Sequence, residues 1–526
     1  METREQIPEI LNSRWDIVVI GGGITGAGVL REASGRGLRC LLLEQRDFAW
    51  GTSSRSGKLV HGGLRYLAQG QVKTTWHSVR QREMLLRELT GLVEPVGFLI
   101  PSYGNDRLSP LMIRIGLALY DTLAMKKSRR RYGRDKTLSL APHLKNDSLT
   151  GGLWYRDAQT DDARLVLRII REAERKGGVA LNYARVEDLC LDQSGRVRGV
   201  AVRDVVSGRD YEVQCGAVIS ATGVWADRMR SLLGFAPRLR RLRGSHLVFP
   251  RRRLPVSVAI SFMHPEDRRP LYVFPWEGVT LLGTTDLDHE FSLDDEPGIS
   301  PGEGEYLLGA ARKIFPSLGL SGGDVISTFS GVRPVVDTGK KNPSRESREH
   351  VVWSDNGLVT VTGGKLTTFA LIAREAVNSA VKWLSHVPSA PKGTGGLFDR
   401  NKSGLPEGDA GPRRLAGRFG ADAAAVMEES GAMGLEKIPG TETLWAEIQW
   451  AARHEGVVHL DDLLLRRVRI GLQLPMGGLE LMDRVRSLAQ PALNWTDKHW
   501  EKELGRYREL WRKAYSPSLI NQSTEK

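Results

Sequence analysis

The stretch from Asp16 to Glu44 restricts the possible folds more than any other part of the chain. Asp16-Ile17-Val18-Val19-Ile20 is a short, β-branched apolar run, as expected of a parallel strand buried on both faces. It opens into Gly21-Gly22-Gly23-Ile24-Thr25-Gly26, which satisfies G-x-G-x-x-G at Gly21, Gly23 and Gly26. Residues without a Cβ are needed there because the turn is tight, the backbone must approach a pyrophosphate, and the helix must pack close to the strand. The pattern predicts a helix from Thr25 to Gly35 whose free N–H groups and positive dipole end face phosphates. A second strand, from Arg39 to Leu43, ends at Glu44, and an acid about 20 residues past the glycines is where a ribose hydroxyl is bound. The unit implies a doubly wound α/β sheet with a dinucleotide in its crevice. Glu44 would repel a 2′-phosphate, which leaves FAD or NAD.

The block from Gly51 to Tyr66 is polar and glycine-rich where a stable element would carry apolar residues, and reads as a loop laid along the rest of the cofactor. That favours a flavin. A chain of 526 residues with 40% hydrophobic content has room for two or three domains with real cores. Its net charge of +13 suits anionic partners, namely phosphorylated substrates or acidic lipid. Nucleic acid is not expected, since no zinc spacing, recognition-helix pattern or aromatic RNA-binding motif is visible. The three cysteines, Cys40, Cys190 and Cys215, form no C-x-x-C pair, so neither a disulfide framework nor a metal site is expected, and Cys40 reads as packing. The N-terminus lacks a signal-peptide pattern, and no apolar stretch is long enough to span a bilayer. The expected location is cytoplasmic. Residues 108–125 are nonetheless apolar and run into a Lys/Arg cluster that ends at Arg131, which fits either an interfacial helix on an anionic lipid surface or a core helix with a solvated basic flank.

Further along, residues 74–89 read as a helix, and strands flank the Ser207-Gly208 turn. Ala217 to Ala221 is a separate buried strand ending at Thr222-Gly223, and residues 245–335 are dominated by β-type runs. Residues 358–361 form a late strand before Thr362-Gly363-Gly364-Lys365-Leu366-Thr367-Thr368. The expected fold is α/β: a Rossmann-like FAD-binding domain with an inserted β-rich substrate subdomain, plus a C-terminal helical domain. The boundaries drawn are 1–390 for the oxidoreductase domain, with the substrate subdomain mainly in 70–150 and 230–335, then a linker over 391–412 and helices over 413–526, including one from Asp461 to Leu474.

These residues resemble the FAD-dependent glycerol-3-phosphate dehydrogenases of the bacterial aerobic and mitochondrial type. The likeness rests on Val19 to Gly28, on the block from Thr52 to Leu67 that includes His61-Gly62-Gly63-Leu64-Arg65-Tyr66, and on Asp161-Asp162-Ala163-Arg164-Leu165. Gly283-Thr284-Thr285-Asp286, Ser330-Gly331-Val332-Arg333-Pro334 and Gly363 to Thr368 continue it, and the helical tail resembles the family more loosely through Ala452 to Glu455 and Leu460 to Arg467. Gly57, Trp50 and Phe369 depart from the family's usual residues and would bear on fine tuning of flavin contacts.

The resemblance implies oxidation of glycerol 3-phosphate to dihydroxyacetone phosphate, with hydride passing to flavin N5 and electrons to a membrane quinone. It also implies peripheral attachment to the inner face of the cell membrane. A homodimer is the expected assembly. A flavin oxidase of the same fold, acting on glycerol 3-phosphate or an amino acid, is the alternative, and a non-catalytic flavoprotein or lipid-surface scaffold is a third. The protein must orient the substrate, hold a phosphate dianion and accept the C2 hydroxyl proton. Dianion capture needs convergent cations, and guanidinium supplies them in bidentate geometry. The catalytic set expected is His61, Arg65, Arg333 and Lys365, with Tyr66, Thr284 and Arg348 also at the substrate. His61 is a candidate base, although a neutral Lys365 or a water held between cations would serve. The cofactor contacts expected are Gly21, Gly23, Ile24, Gly26, Glu44, Thr52, Ser53, Lys58, His61, Gly62 and Gly63, then Val186, Thr222, Gly223, Gly364, Lys365, Leu366 and Thr367.

Overall fold

The computed structural model describes residues 4–63, 67, 72–104, 110–124, 128–340, 346, 349–388, 397–398 and 410–521. The expected linker at 391–412 lies mostly outside them. Trp15–Ile20 is the central strand of the first sheet, parallel to Cys40–Leu43 on one side and to Asp210–Ser220 on the other. Val179–Leu181 and Leu358–Thr362 extend the parallel order outward. The chain winds to one side of the first strand and then to the other, so the carboxyl ends open on a crevice of the kind that binds ligands in such sheets. Burial on both faces explains the unbroken apolar run: Ile17, Val18 and Val19 are fully enclosed. The helix Ile24–Gly35 packs between Asp162–Glu174 and Phe369–Ala380. A Cβ at Gly28 would stand 2.9 Å from the Phe369 ring, so Phe369 is a core residue holding two helices together rather than a flavin contact.

The second sheet takes Leu59–Val60, Val93–Tyr103, Leu149–Thr160, Leu239–Pro250, Ala259–Met263, Pro270–Trp276, Val279–Gly283 and Ser327–Val336 into one surface. Three expectations change here. Residues 217–221 are not a separate strand; they finish one continuous strand, Asp210–Ser220, whose first half pairs with Val197–Asp204 and whose second half enters the parallel sheet. The region 245–335 also contains a helix, Pro301–Ile314, opened by a capping box between Ser300 and Glu303 with Pro301 in the first turn.

The third change concerns Asp461 to Leu474. Instead of one helix there is a π-helical turn, Asp462–Arg467, then Arg469 in a left-handed conformation at φ 64°, then a short turn over Ile470–Gln473. The physical reason is burial on every side. Arg466, Arg467 and Arg469 are each about 1% exposed or less and point inward to carboxylates, so their spacing does not mark a solvated helix face.

Those arginines tie the C-terminal helices to the nucleotide-binding half. Asp47 accepts from Arg467 at 2.7 Å and from Arg466, Arg418 reaches Asp161 at 2.9 Å, and Arg164 grips Glu455 at 2.5 and 2.8 Å. Burial alone would raise the Asp47 carboxyl, but the Arg467 and Arg466 guanidiniums outweigh it and hold it below the usual range. Asp161 is held down in the same sense by Arg469 and Arg418 against its burial, and Glu447 by Arg414 and Arg418. Carboxyls lowered on folding contribute stability that is present above their unfolded values, about 4, and is lost as pH falls through the folded ones. These carboxyls therefore leave the thermal midpoint unchanged between pH 7 and 5 and are expected to make it fall steeply below about pH 4. Asp47→Asn should lower stability at neutral pH by about 3–5 kcal/mol, since it leaves guanidiniums buried without their countercharge, and should flatten the acid limb. A thermal-unfolding series in pH on both proteins checks this; parallel curves would remove Asp47 from the account.

Candidate active site

A cavity of about 970 Å³ runs from the first glycine loop, past residues of both sheets, to Arg333. At its nucleotide end Gly21 has φ 106°, and a Cβ there would come 2.7 Å from the Ala221 carbonyl. A Cβ on Gly26 would stand 1.8 Å from the Gly21 carbonyl, so that glycine keeps helix and strand together without lining the cavity. The Ile24 N–H donates to Ser53 Oγ at 2.9 Å, which joins the helix N-terminus to the loop opposite. The Glu44 carboxylate accepts from the Gly22 and Arg46 N–H groups at 2.7 and 2.9 Å while still lining the cavity. Burial raises its pKa, and those two N–H donors oppose the shift.

The wall continues through Val186, Thr222, Gly223 and Trp225, and through Thr52 and Ser53 of the facing loop. Trp50 closes one side: Arg46 lies over its ring at 4.0 Å, Arg55 at 4.9 Å, and its centroid is 5.8 Å from that of Trp225. On the far strand end Gly363 and Gly364 both have positive φ, and Leu366 and Thr367 follow along the cavity. Thr367 Oγ1 donates to the His61 carbonyl at 3.3 Å and so connects the two loops that approach from opposite halves. A helix N-terminus, an acid at the second strand end and glycines with no room for a side chain are the donor set and the cradle that an adenine dinucleotide requires. FAD fits these residues.

The other end is cationic. Arg333 projects from Ser327–Val336, donates to Asp286 Oδ1 at 2.9 Å and to Thr284 Oγ1 at 3.1 Å, and lines the cavity. Arg269, beside the strand Pro270–Trp276, approaches the other oxygen of Asp286 at 3.4 Å. Asp286 is fully enclosed while both guanidinium side chains keep 23% exposure, so one carboxylate aligns two cations toward the cavity. Lys365 and His61 line the same space.

His246 stands among these groups. Its ring stacks on Phe329 with centroids 4.5 Å apart and 8° between planes, and it is 2% exposed. Its Nδ1 is buried with no hydrogen-bond partner among the described residues. Burial, then the positive charges of Arg333 and Lys58, hold its pKa well below the usual value, so the ring is neutral at pH 7. A Cβ at Gly283 would collide with this ring, and one at Gly57 would meet Nε2 at 3.6 Å. A glycine at position 57 thus borders the histidine rather than tuning a flavin contact alone.

Gly21, Gly23, Ile24, Glu44, Thr52, Ser53, His61, Gly63, Val186, Thr222, Gly223, Thr284, Arg333, Gly364, Lys365, Leu366 and Thr367 all come together around this one cavity. Lys58 does not. It is 0% exposed and donates to Ser54 O at 2.5 Å and to both Asp162 oxygens at 2.8 Å, beneath the loop rather than on its cofactor face. Gly62 is also buried behind the wall, its N–H donating to Asp157 at 3.1 Å. Arg65, Tyr66 and Arg348 lie outside the described residues. Sequence reasoning missed His246, Arg269 and Trp225. A histidine inside an apolar β run, directly after Gly244-Ser245, was the available signal for the first; the arginine was lost among many others in a basic chain.

A family model described as "FAD dependent oxidoreductase" matches residues 16–378, and one described as "C-terminal domain of alpha-glycerophosphate oxidase" matches residues 394–500. The aerobic glycerol-3-phosphate dehydrogenase of Staphylococcus haemolyticus is 33% identical over 495 residues, covering 88% of either chain. That of Staphylococcus epidermidis is 37% identical over 379 residues, covering 71% of this chain and 68% of its own. Among solved structures, the Bacillus halodurans glycerol-3-phosphate dehydrogenase complexed with FAD superimposes with a TM-score of 0.75 at 27% identity, covering 96% of this chain and 97% of that one.

Proposed function

The chain belongs to the FAD-dependent glycerol-3-phosphate dehydrogenases, and from that membership we propose how its residues divide the oxidation of glycerol 3-phosphate to dihydroxyacetone phosphate. One observation carries the reading: a glycine-walled dinucleotide cradle opens into the same cavity as the Arg333–Asp286–Arg269 cluster and the neutral ring of His246. Bound FAD supplies the acceptor for the hydride leaving C2.

Gly21, Gly23, Ile24, Glu44, Ser53, Thr222 and Gly364 hold that cofactor. Arg333 and Arg269, aligned by Asp286, grip the phosphate, and Thr284, whose hydroxyl accepts from Arg333, stands beside them. Lys365 completes the polar surround among the described residues. His246 accepts the C2 hydroxyl proton, because it is neutral, enclosed and stacked in place. His61, whose carbonyl fixes the loop through Thr367, orients the cofactor side of the site. Glycerol without a phosphate would offer the two guanidiniums no second anion beside Asp286, and selectivity follows from that.

The electron acceptor we propose is a membrane quinone. Phe98, Ile100, Tyr155, Phe262 and Phe274 give the cavity an apolar wall that continues to Leu119 on the helix Pro110–Ala124. Leu119 is 41% exposed, and Val72 and Trp76 of the adjacent helix Val72–Glu88 are 44% and 37% exposed. No described helix is long and apolar enough to cross a membrane, whereas an exposed Trp and aliphatic residues near basic ones suit attachment at an anionic lipid surface. A second reading, oxygen as acceptor, draws on the C-terminal match to a model described for an oxidase.

Purified protein is expected to be yellow and to bleach anaerobically on addition of glycerol 3-phosphate. Unchanged absorbance would end both readings. Once bleached, faster return of colour with a short-chain quinone than with oxygen supports the dehydrogenase, and the reverse order supports the oxidase.

A further inference from the structure

We infer that Arg469, in the C-terminal helical region, is a positioning residue for FAD: it braces from behind the loop whose front forms the cofactor wall. The inference rests on FAD as the cofactor. Gly51, Thr52, Ser53, Arg55, Ser56 and Gly57 line the cavity. Behind this loop stand one of its own carbonyls, that of Ser54, and the carboxylate of Asp162 from the helix Asp162–Glu174. Ser54 O accepts from Lys58 Nζ at 2.5 Å and from Arg469 Nη2 at 2.7 Å. Asp162 accepts from the Ser56 N–H and hydroxyl at 2.9 and 2.7 Å, from Lys58 at 2.8 Å, and from Arg469 at 3.3 Å.

Both residues that converge on Ser54 O, Lys58 and Arg469, have positive φ, at 56° and 64°, a conformation rare outside glycine. Such a backbone persists only where surrounding contacts over-determine it. The loop so held carries Ser53, whose Oγ accepts from Ile24 N–H at the start of the phosphate-facing helix. The chain of contacts therefore runs from Arg469 through Ser54 to Ser53 and the helix N-terminus. A second strut comes from the same region: the Tyr515 hydroxyl lies 3.4 Å from Arg55 Nε, and Arg55 donates in turn to the Trp50 carbonyl and pairs with Glu296. A site whose supporting shell is removed loosens even when every contacting residue remains.

The test is retention of FAD by the holoenzyme on dilution, read as the gain in fluorescence of released flavin, beside the thermal midpoint of each protein. Arg469→Met is expected to raise the FAD dissociation constant by about tenfold or more, as follows from losing a charged hydrogen-bond donor. Arg469→Lys, which keeps one donor and the charge, should fall between Met and the native protein. Tyr515→Phe should raise the constant a few-fold. A residue that merely glued two regions together would lower the midpoint and leave FAD affinity unchanged; that result overturns the inference. Should Arg469→Met fail to fold, Arg469→Lys and Tyr515→Phe give the same readout, and native affinity in both overturns it. A native protein that held no FAD would instead strike at the family's cofactor in this chain.

Discussion

His246→Gln is expected to lower kcat by about 10²- to 10⁴-fold, the range of a lost general base, while KM for glycerol 3-phosphate changes only a few-fold. Glutamine keeps a polar side chain of similar reach, so the stack on Phe329 is lost but the enclosure by neighbouring residues is not. What it cannot do is take up a proton. The buried ring, whose Nδ1 has no partner among the described residues, is already in its base form, because its enclosure and the charges of Arg333 and Lys58 disfavour the imidazolium. The sign of the pH effect follows. A histidine lowered on folding stays unprotonated as pH drops through its ordinary value of about 6.5, so kcat/KM should not lose activity there through this ring. The acid limb should instead reflect the substrate phosphate, whose second ionisation lies near pH 6 in phosphomonoesters. Stability behaves differently: below about pH 6.5 the unfolded chain binds a proton that the folded ring refuses, and the fold weakens. Anaerobic flavin reduction followed in a single turnover separates chemistry from reoxidation. A native reduction rate in His246→Gln would move the base to His61.

Arg333→Ala is expected to raise KM for glycerol 3-phosphate by roughly 10- to 10³-fold, since each charged hydrogen bond to the phosphate is worth about 1.5–3 kcal/mol. FAD should stay bound, because no described residue of its cradle depends on this guanidinium. The substitution also leaves Asp286, fully enclosed, with Arg269 as its remaining described cation, which sharpens the loss. Selectivity gives the cleaner reading. The native enzyme should prefer glycerol 3-phosphate over glycerol by a large factor, and the variant should lose most of that preference while its rate with glycerol barely changes. Steady-state kinetics with both substrates and an artificial acceptor measure this. An unaltered KM would put Arg333 outside the phosphate site.

The glycine fingerprint, the acid at Glu44 and the order of strands could be read directly because each answers a local demand. A tight turn, a close backbone approach and burial on both faces leave their mark within a few residues. The helix Pro301–Ile314 carries a local mark too, a capping box over Ser300-Pro301-x-Glu303 with proline in the first turn, but it goes unread among the surrounding β runs. Lys58 was misread for a different reason. A lysine in a polar loop looks the same whether it turns toward a phosphate or toward a carboxylate such as Asp162, which is 104 residues away in the chain.

The sequence by itself determined the dinucleotide-binding unit and pointed to a flavin, since these depend on contiguous motifs, while the phosphate-bearing substrate came from the family that those motifs resemble. Only the tertiary structure decided that His246 and Arg269 face the cavity, that Lys58 and Gly62 stand behind its wall, and that the arginines between Arg466 and Arg469 turn inward. Those outcomes depend on which charges meet after distant segments pack, and a buried ion pair is specified by its partner's position, which no local pattern records.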